Sequence, residues 1–141
     1  MKAEPKRMGL ALVLLAALTV PVLAGAARQP ILDGYAAAAK AGDAAFAGFS
    51  AARGETLFQT KFAAGDAETP ACTSCHTDNP GGTGRTRAGK DIAPMAVSKT
   101  PDRYTDREKV EKWFGRNCKG VLGRECTALE KGDFITFMAS K

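Results

Sequence analysis

The segment CTSCH, from Cys72 to His76, constrains this chain more than any other feature. Two cysteines three positions apart fit on one helical turn, so both thiols can add to the two vinyl groups along one edge of a haem. His76 follows directly and brings its imidazole beneath the iron. It is the one histidine among 141 residues, so bis-histidine ligation is excluded by arithmetic. A zinc site would need four ligands, and the other thiols, Cys118 and Cys126, stand wider apart than in a zinc knuckle. A thioredoxin-like redox pair expects a strand before it and a helix after it. Here Pro70 precedes, and the turn-forming run from Thr77 to Gly84 follows. The motif therefore predicts one covalent haem c on Cys72 and Cys75, with His76 as proximal iron ligand.

The start of the chain reads as an export signal. Lys2, Lys6 and Arg7 precede the apolar run MGLALVLLAALTV, Pro21 breaks it, and Ala24, Gly25 and Ala26 make a small-residue cleavage site. The run is shorter than the roughly 20 residues needed to span hydrocarbon, which disfavours a retained anchor. The expected organisation is a signal peptide over 1–26 and one domain over 27–141, delivered to the periplasm. Cleavage would remove Lys2, Lys6, Arg7 and Glu4, so two of the five excess positive charges go with the leader. Two haem propionates would bring the remainder close to neutrality, and the basic pI is no argument for nucleic acid.

Hydrophobic period and capping residues predict an all-α domain of four to five helices around the haem, like a small cytochrome c. Ile31 to Gly42 is alanine-rich and reads as a helix ending near Gly42. Ser50 to Phe62 places Leu57, Phe58 and Phe62 at helical spacing. Asp106 can cap a helix with Val110, Trp113 and Phe114 on one face and Gly115 placed to end it. Thr127 and Glu130 form a capping box ahead of Phe134, Phe137 and Met138. Between Ala63 and Thr105 the chain is rich in Gly, Pro, Thr and Asp and shows no strand alternation; a loop so long in a small domain wraps something or performs a function. Within it, Gly84 to Asp91 resembles a phosphate-binding loop, but Asp91 stands where a Ser or Thr should hold magnesium. Arg85, Arg87 and Lys90 are expected to face water or the haem propionates.

The other axial position is open on this reading. Its candidates are Met95, Met138, Asn117, a lysine, or nothing. Met138 lies on an apolar helical stripe and reads as core. Met95, in the loop after the haem motif, is where an ordinary electron carrier presents a methionine. With Cys72 and Cys75 consumed, Cys118 and Cys126 are the pair left to form a disulfide in an oxidising compartment. Such a bridge would contribute on the order of 2.5 kcal/mol on the chain-entropy model. It would also hold Asn117 in place; otherwise Asn117 reads as a helix-end residue and the bridge as a staple between two helices.

CTSCH, then GRTRAGKDIAPMA, then TPDRYTDREKVEKWFGRNCKGVLGRECTALEKGD together resemble the sphaeroides haem protein (SHP) family of monohaem cytochromes c, over nearly all of the chain after the leader. The last segment is far more specific than the haem motif. The resemblance implies Asn117 as the sixth ligand in the oxidised state and a Cys118–Cys126 disulfide beside the haem. It also implies a high-spin iron that loses the asparagine on reduction and then binds oxygen, nitric oxide or carbon monoxide. A dihaem cytochrome c and a membrane cytochrome b are the implied electron donors, with terminal transfer to oxygen or nitric oxide as the implied enzymatic role. The alternatives are an electron carrier ligated by His76 and Met95, and a small exported zinc or structural domain.

Overall fold

The computed structural model describes residues 20–141. The expected signal peptide lies outside the described residues except for Val20 to Ala26, which open the first helix. The elements are α1 (Val20–Gly42), α2 (Ala51–Gln59), the single turn α3 (Thr73–His76), β1 (Gly84–Arg85), β2 (Asp91–Ile92), α4 (Arg107–Leu122) and α5 (Ala128–Ala139). Among the described residues no helix is long and apolar enough to cross a membrane.

The fold is all-α and α5 is its centre. Its capping box is present: the Thr127 hydroxyl accepts from the Glu130 amide, and the Glu130 carboxylate accepts from the Thr127 amide. The helix then buries most of its circumference. Phe134, Phe137 and Met138 join Phe58 of α2 and Met95 in one cluster, whereas Ile135 joins Ile31 and Tyr35 of α1 and Val110 of α4 in a second. Tyr104 and Phe114 pack against both. A polar tie links the same helices, since Glu111 accepts from the Tyr35 hydroxyl at 2.6 Å and pairs with Lys131 at 2.7 Å.

Three boundaries differ from the sequence expectation: α2 ends at Gln59, so Phe62 lies beyond the helix, and α4 and α1 also depart from it. Gly115 does not end α4: the helix runs on to Leu122 and stops at Gly123, whose left-handed φ of 72° is the conformation glycine adopts without penalty. Val110, Cys118 and Leu122 are buried on this helix, and their packing outweighs the roughly 1 kcal/mol that an internal glycine costs. Asn117 is therefore a mid-helix residue, not a helix end. In α1 the helix is already formed at Val20 and continues through Pro30, which forfeits one backbone hydrogen bond. Arg28, 7 % exposed, anchors it by donating to the carbonyls of Pro101 and Arg103.

The β1–β2 ribbon was not expected, because strands of two residues carry no alternation to read. Gly84 pairs with Ile92 and Arg85 with Asp91.

Asp133 is the one buried carboxylate of α5, at 3 % exposure. It accepts from the Ser50 amide at 2.6 Å and from the Arg53 guanidinium at 2.7 and 2.9 Å, clamping the start of α2 to α5. Asp133→Ala is expected to cost about 1–3 kcal/mol, the range for losing hydrogen bonds to a charged group, measured as a fall in the urea midpoint at unchanged slope.

Candidate haem site

The haem motif folds as one tight turn. Cys72 caps α3, its carbonyl accepting from the amides of Cys75 at 3.3 Å and His76 at 3.1 Å, and the Ser74 hydroxyl accepts from the Ala71 amide at 3.2 Å. The turn stops at Thr77, which holds a left-handed φ of 60°. For a β-branched residue this is strained, at a cost of order 1–3 kcal/mol, and such strain gathers where a ligand is held. Three chemical groups thus leave one turn together: two thiols and an imidazole.

Their surroundings are apolar. Burial, with a smaller push from the nearby Cys75, raises the Cys72 thiol to about 11. Burial, and secondarily the positive charge of Arg103, lowers His76 to about 4. The imidazole is therefore neutral, which is the form that ligates a metal. Its Nδ1 is buried and has no hydrogen-bond partner among the described residues. Cys72 also packs against the cluster of Phe58, Met95, Phe134, Phe137 and Met138.

The long irregular centre wraps this turn. Gly84 is buried with the Cys75 carbonyl so close that a methyl group on its Cα would overlap that oxygen and crowd the His76 Cα. Glycine is required there so that the ribbon can lie on the motif's backbone. Arg87 pairs with Glu68 and, at 3.0 Å, with Asp66, and Arg85 pairs with Asp91 at 3.2 Å. Both guanidiniums are exposed, and they brace loops to one another.

Met95 is 8 % exposed and held on several sides. Its amide donates to the Pro80 carbonyl at 2.8 Å, its carbonyl accepts from the Tyr104 hydroxyl at 3.2 Å, and its sulfur lies 4.0 Å from that hydroxyl. Arg103 donates to the Pro94 carbonyl at 2.7 Å, and Arg28 holds Arg103 in turn. Met138 is fully buried, as expected of a core residue. Arg28, Arg103 and Tyr104 were missed in the sequence: none lies on a periodic stripe, and only the fold brings them to the motif.

Asn117 is exposed on α4, next to the buried Cys118. Cys118 and Cys126 form a disulfide, with Cα atoms 5.6 Å apart, joining α4 to the approach of α5. The loop leading into the haem motif rests on this same end of α4, where the Asp66 amide donates to the Gly120 carbonyl at 2.6 Å. Asn117 and the motif thus belong to one connected frame.

These residues fit a covalent haem. The disulfide removes Cys118 and Cys126 from any zinc set and leaves Cys72 and Cys75 as thiols. A neutral, buried imidazole follows them on the same turn. Cys72 and Cys75 would hold the haem and His76 its iron.

Comparison with known proteins agrees. Residues 44–138 match a family described as a domain of unknown function, DUF1924. The chain is 45% identical over 131 residues to the cytochrome c-type protein SHP of Cereibacter sphaeroides, spanning 92% of this chain and 97% of that one. It is 37% identical over 89 residues to cytochrome c'' of Methylophilus methylotrophus, 62% of each. Among solved structures, oxidised SHP, described as an oxygen-binding cytochrome c, superposes with a TM-score of 0.74 at 45% identity, covering 81% of this chain and 96% of that one. Oxidised cytochrome c'' superposes with a TM-score of 0.71 at 30% identity, covering 82% and 95%.

Proposed function

Because the chain belongs to the DUF1924 family and to the SHP family of monohaem cytochromes c, with one covalent haem c, we propose that it is an exported electron-transfer protein whose sixth iron position opens on reduction and takes a diatomic gas. The observation that carries this reading is the contrast between Met95 and Asn117. Met95 is built into the core by its cluster, by Tyr104 and by Pro80. Asn117 stands on the surface of a helix locked by the adjacent disulfide.

The bound haem supplies a one-electron couple and an axial position for a small ligand. Everything else falls to the chain. Cys72 and Cys75 would hold the haem covalently and keep it from dissociating, and the neutral imidazole of His76 would ligate its iron. The Asn117 amide oxygen is a hard donor, suited to ferric iron and poorly matched to ferrous iron, so Asn117 would ligate the oxidised iron and be a weak ligand for the reduced one. The disulfide at Cys118 keeps Asn117 near its working position in both states. A thioether from Met95 would favour the reduced state and keep the position closed.

Export to the periplasm follows from the leader over 1–26. There a dihaem cytochrome c and a membrane cytochrome b are the proposed electron donors, with oxygen or nitric oxide as terminal acceptor. Carbon monoxide titration of the dithionite-reduced protein tests the open site. We expect one equivalent bound, with a shifted Soret band; refusal of carbon monoxide would leave a plain electron carrier.

A further inference from the structure

One polar cluster in the core has no part in holding the haem. The Tyr35 hydroxyl of α1 donates to one carboxylate oxygen of Glu111 on α4 at 2.6 Å, and the other oxygen accepts from Lys131 of α5 at 2.7 Å. Tyr35 is 5 % exposed, whereas the Glu111 side chain is 41 % exposed and borders water. The Lys131 ammonium stands 5.5 Å from the centre of the Tyr35 ring.

A line of aromatic rings leads from this cluster toward the haem motif. Tyr35 meets Phe114 at 6.4 Å between ring centres, Phe114 meets Phe134 at 5.5 Å, and Phe134 meets Tyr104 at 6.2 Å. Each step falls within the roughly 4.5–7 Å of interacting rings. Tyr104 packs, as Cys72 does, against the cluster of Phe58, Met95, Phe134, Phe137 and Met138.

The chain holds two tyrosines, and their hydroxyls have different partners. A phenol gives up an electron readily only when its proton leaves too, because the ring cation left otherwise is a very strong acid. Tyr104 donates to the Met95 carbonyl, which does not take up a proton. Tyr35 donates to a carboxylate, which does. The Lys131 ammonium also disfavours positive charge on the Tyr35 ring, so electron and proton leave together. Glu111 can then release the proton to water through its exposed side.

We propose that Tyr35 is a redox-active residue that supplies the second electron when hydrogen peroxide reacts at the reduced iron. Peroxide takes up two electrons and two protons as its O–O bond breaks to give two waters. One electron comes from the ferrous iron, which becomes ferric. The other comes from Tyr35, by way of Phe114, Phe134 and Tyr104, and leaves a neutral tyrosyl radical. The phenolic proton, passed through Glu111 to solvent, and one further proton from solvent complete the waters. With one electron alone, the O–O bond would break to hydroxide and a free hydroxyl radical. The role rests on the open reduced site proposed above, and carbon monoxide binding reports that site separately.

The test mixes reduced holoprotein with one equivalent of hydrogen peroxide and follows freeze-quenched samples by electron paramagnetic resonance. Wild type should give a tyrosyl signal that narrows when the tyrosine rings are deuterated. Tyr35→Phe should lose the signal and release hydroxyl radical to a spin trap, whereas Tyr104→Phe, which keeps the ring in the path, should retain it. Glu111→Gln should form the radical about 100-fold more slowly, the low end for removing a positioned proton acceptor. A wild type that binds carbon monoxide but gives no tyrosyl signal with peroxide overturns the role of Tyr35 and leaves the open site standing. So does a signal that survives Tyr35→Phe, or one that tyrosine deuteration leaves unchanged. Refusal of carbon monoxide overturns the open site, and this role with it.

Discussion

His76→Ala is expected to abolish stable folding, a loss of at least about 5 kcal/mol, the low end of the stability of a whole small domain. The imidazole is the sole histidine, is buried, and closes a turn that Thr77 ends in a strained conformation. Without the imidazole the iron would lose its proximal ligand, and nothing would offset the strain at Thr77. The domain is also small, so a covalent haem supplies much of its core. Cys72→Ala and Cys75→Ala are expected to be milder, each leaving one thioether bond and a shifted haem spectrum. Thermal unfolding followed by circular dichroism, beside the absorption spectrum of each variant, checks this order. A folded, colourless wild-type protein that bound zinc tightly would refute the role assigned to the motif.

The chemistry at this turn was legible in the sequence because it is local. CTSCH needs one helical turn and nothing else, and the capping residues Asp106 and Thr127 act within three positions of themselves. The Cys118–Cys126 bridge was legible by elimination, and the structure contains it. What could not be read depends on contacts distant in sequence. Arg103 reaches the neighbourhood of His76 only once Arg28, from the first helix, holds its carbonyl. Asp133 looks like any helical carboxylate until α2 crosses it. Gly115 has the composition of a helix end, and only the packing of Cys118 and Leu122 carries α4 past it to Gly123. Helical spacing groups Trp113 with Val110 and Phe114, whereas in the structure it is half exposed between two cations.

The second large effect concerns the sixth position. Asn117→Ala is expected to leave the ferric site without its protein ligand, so that small anions such as azide bind about ten times faster or more. Carbon monoxide binding to the ferrous form should change little, because an amide oxygen is a poor ligand for ferrous iron. Met95→Leu should alter neither spectrum, since Met95 is held by Pro80, Tyr104 and the surrounding phenylalanines, and leucine is close to it in volume.

The ferric visible spectrum of the wild-type protein, recorded beside those of Asn117→Ala and Met95→Leu, tests the central claim most directly. A high-spin spectrum that Asn117→Ala perturbs and Met95→Leu leaves unchanged is the predicted result. A low-spin spectrum with a methionine-to-iron charge-transfer band, lost in Met95→Leu and retained in Asn117→Ala, would contradict it and make the protein an ordinary electron carrier ligated by His76 and Met95.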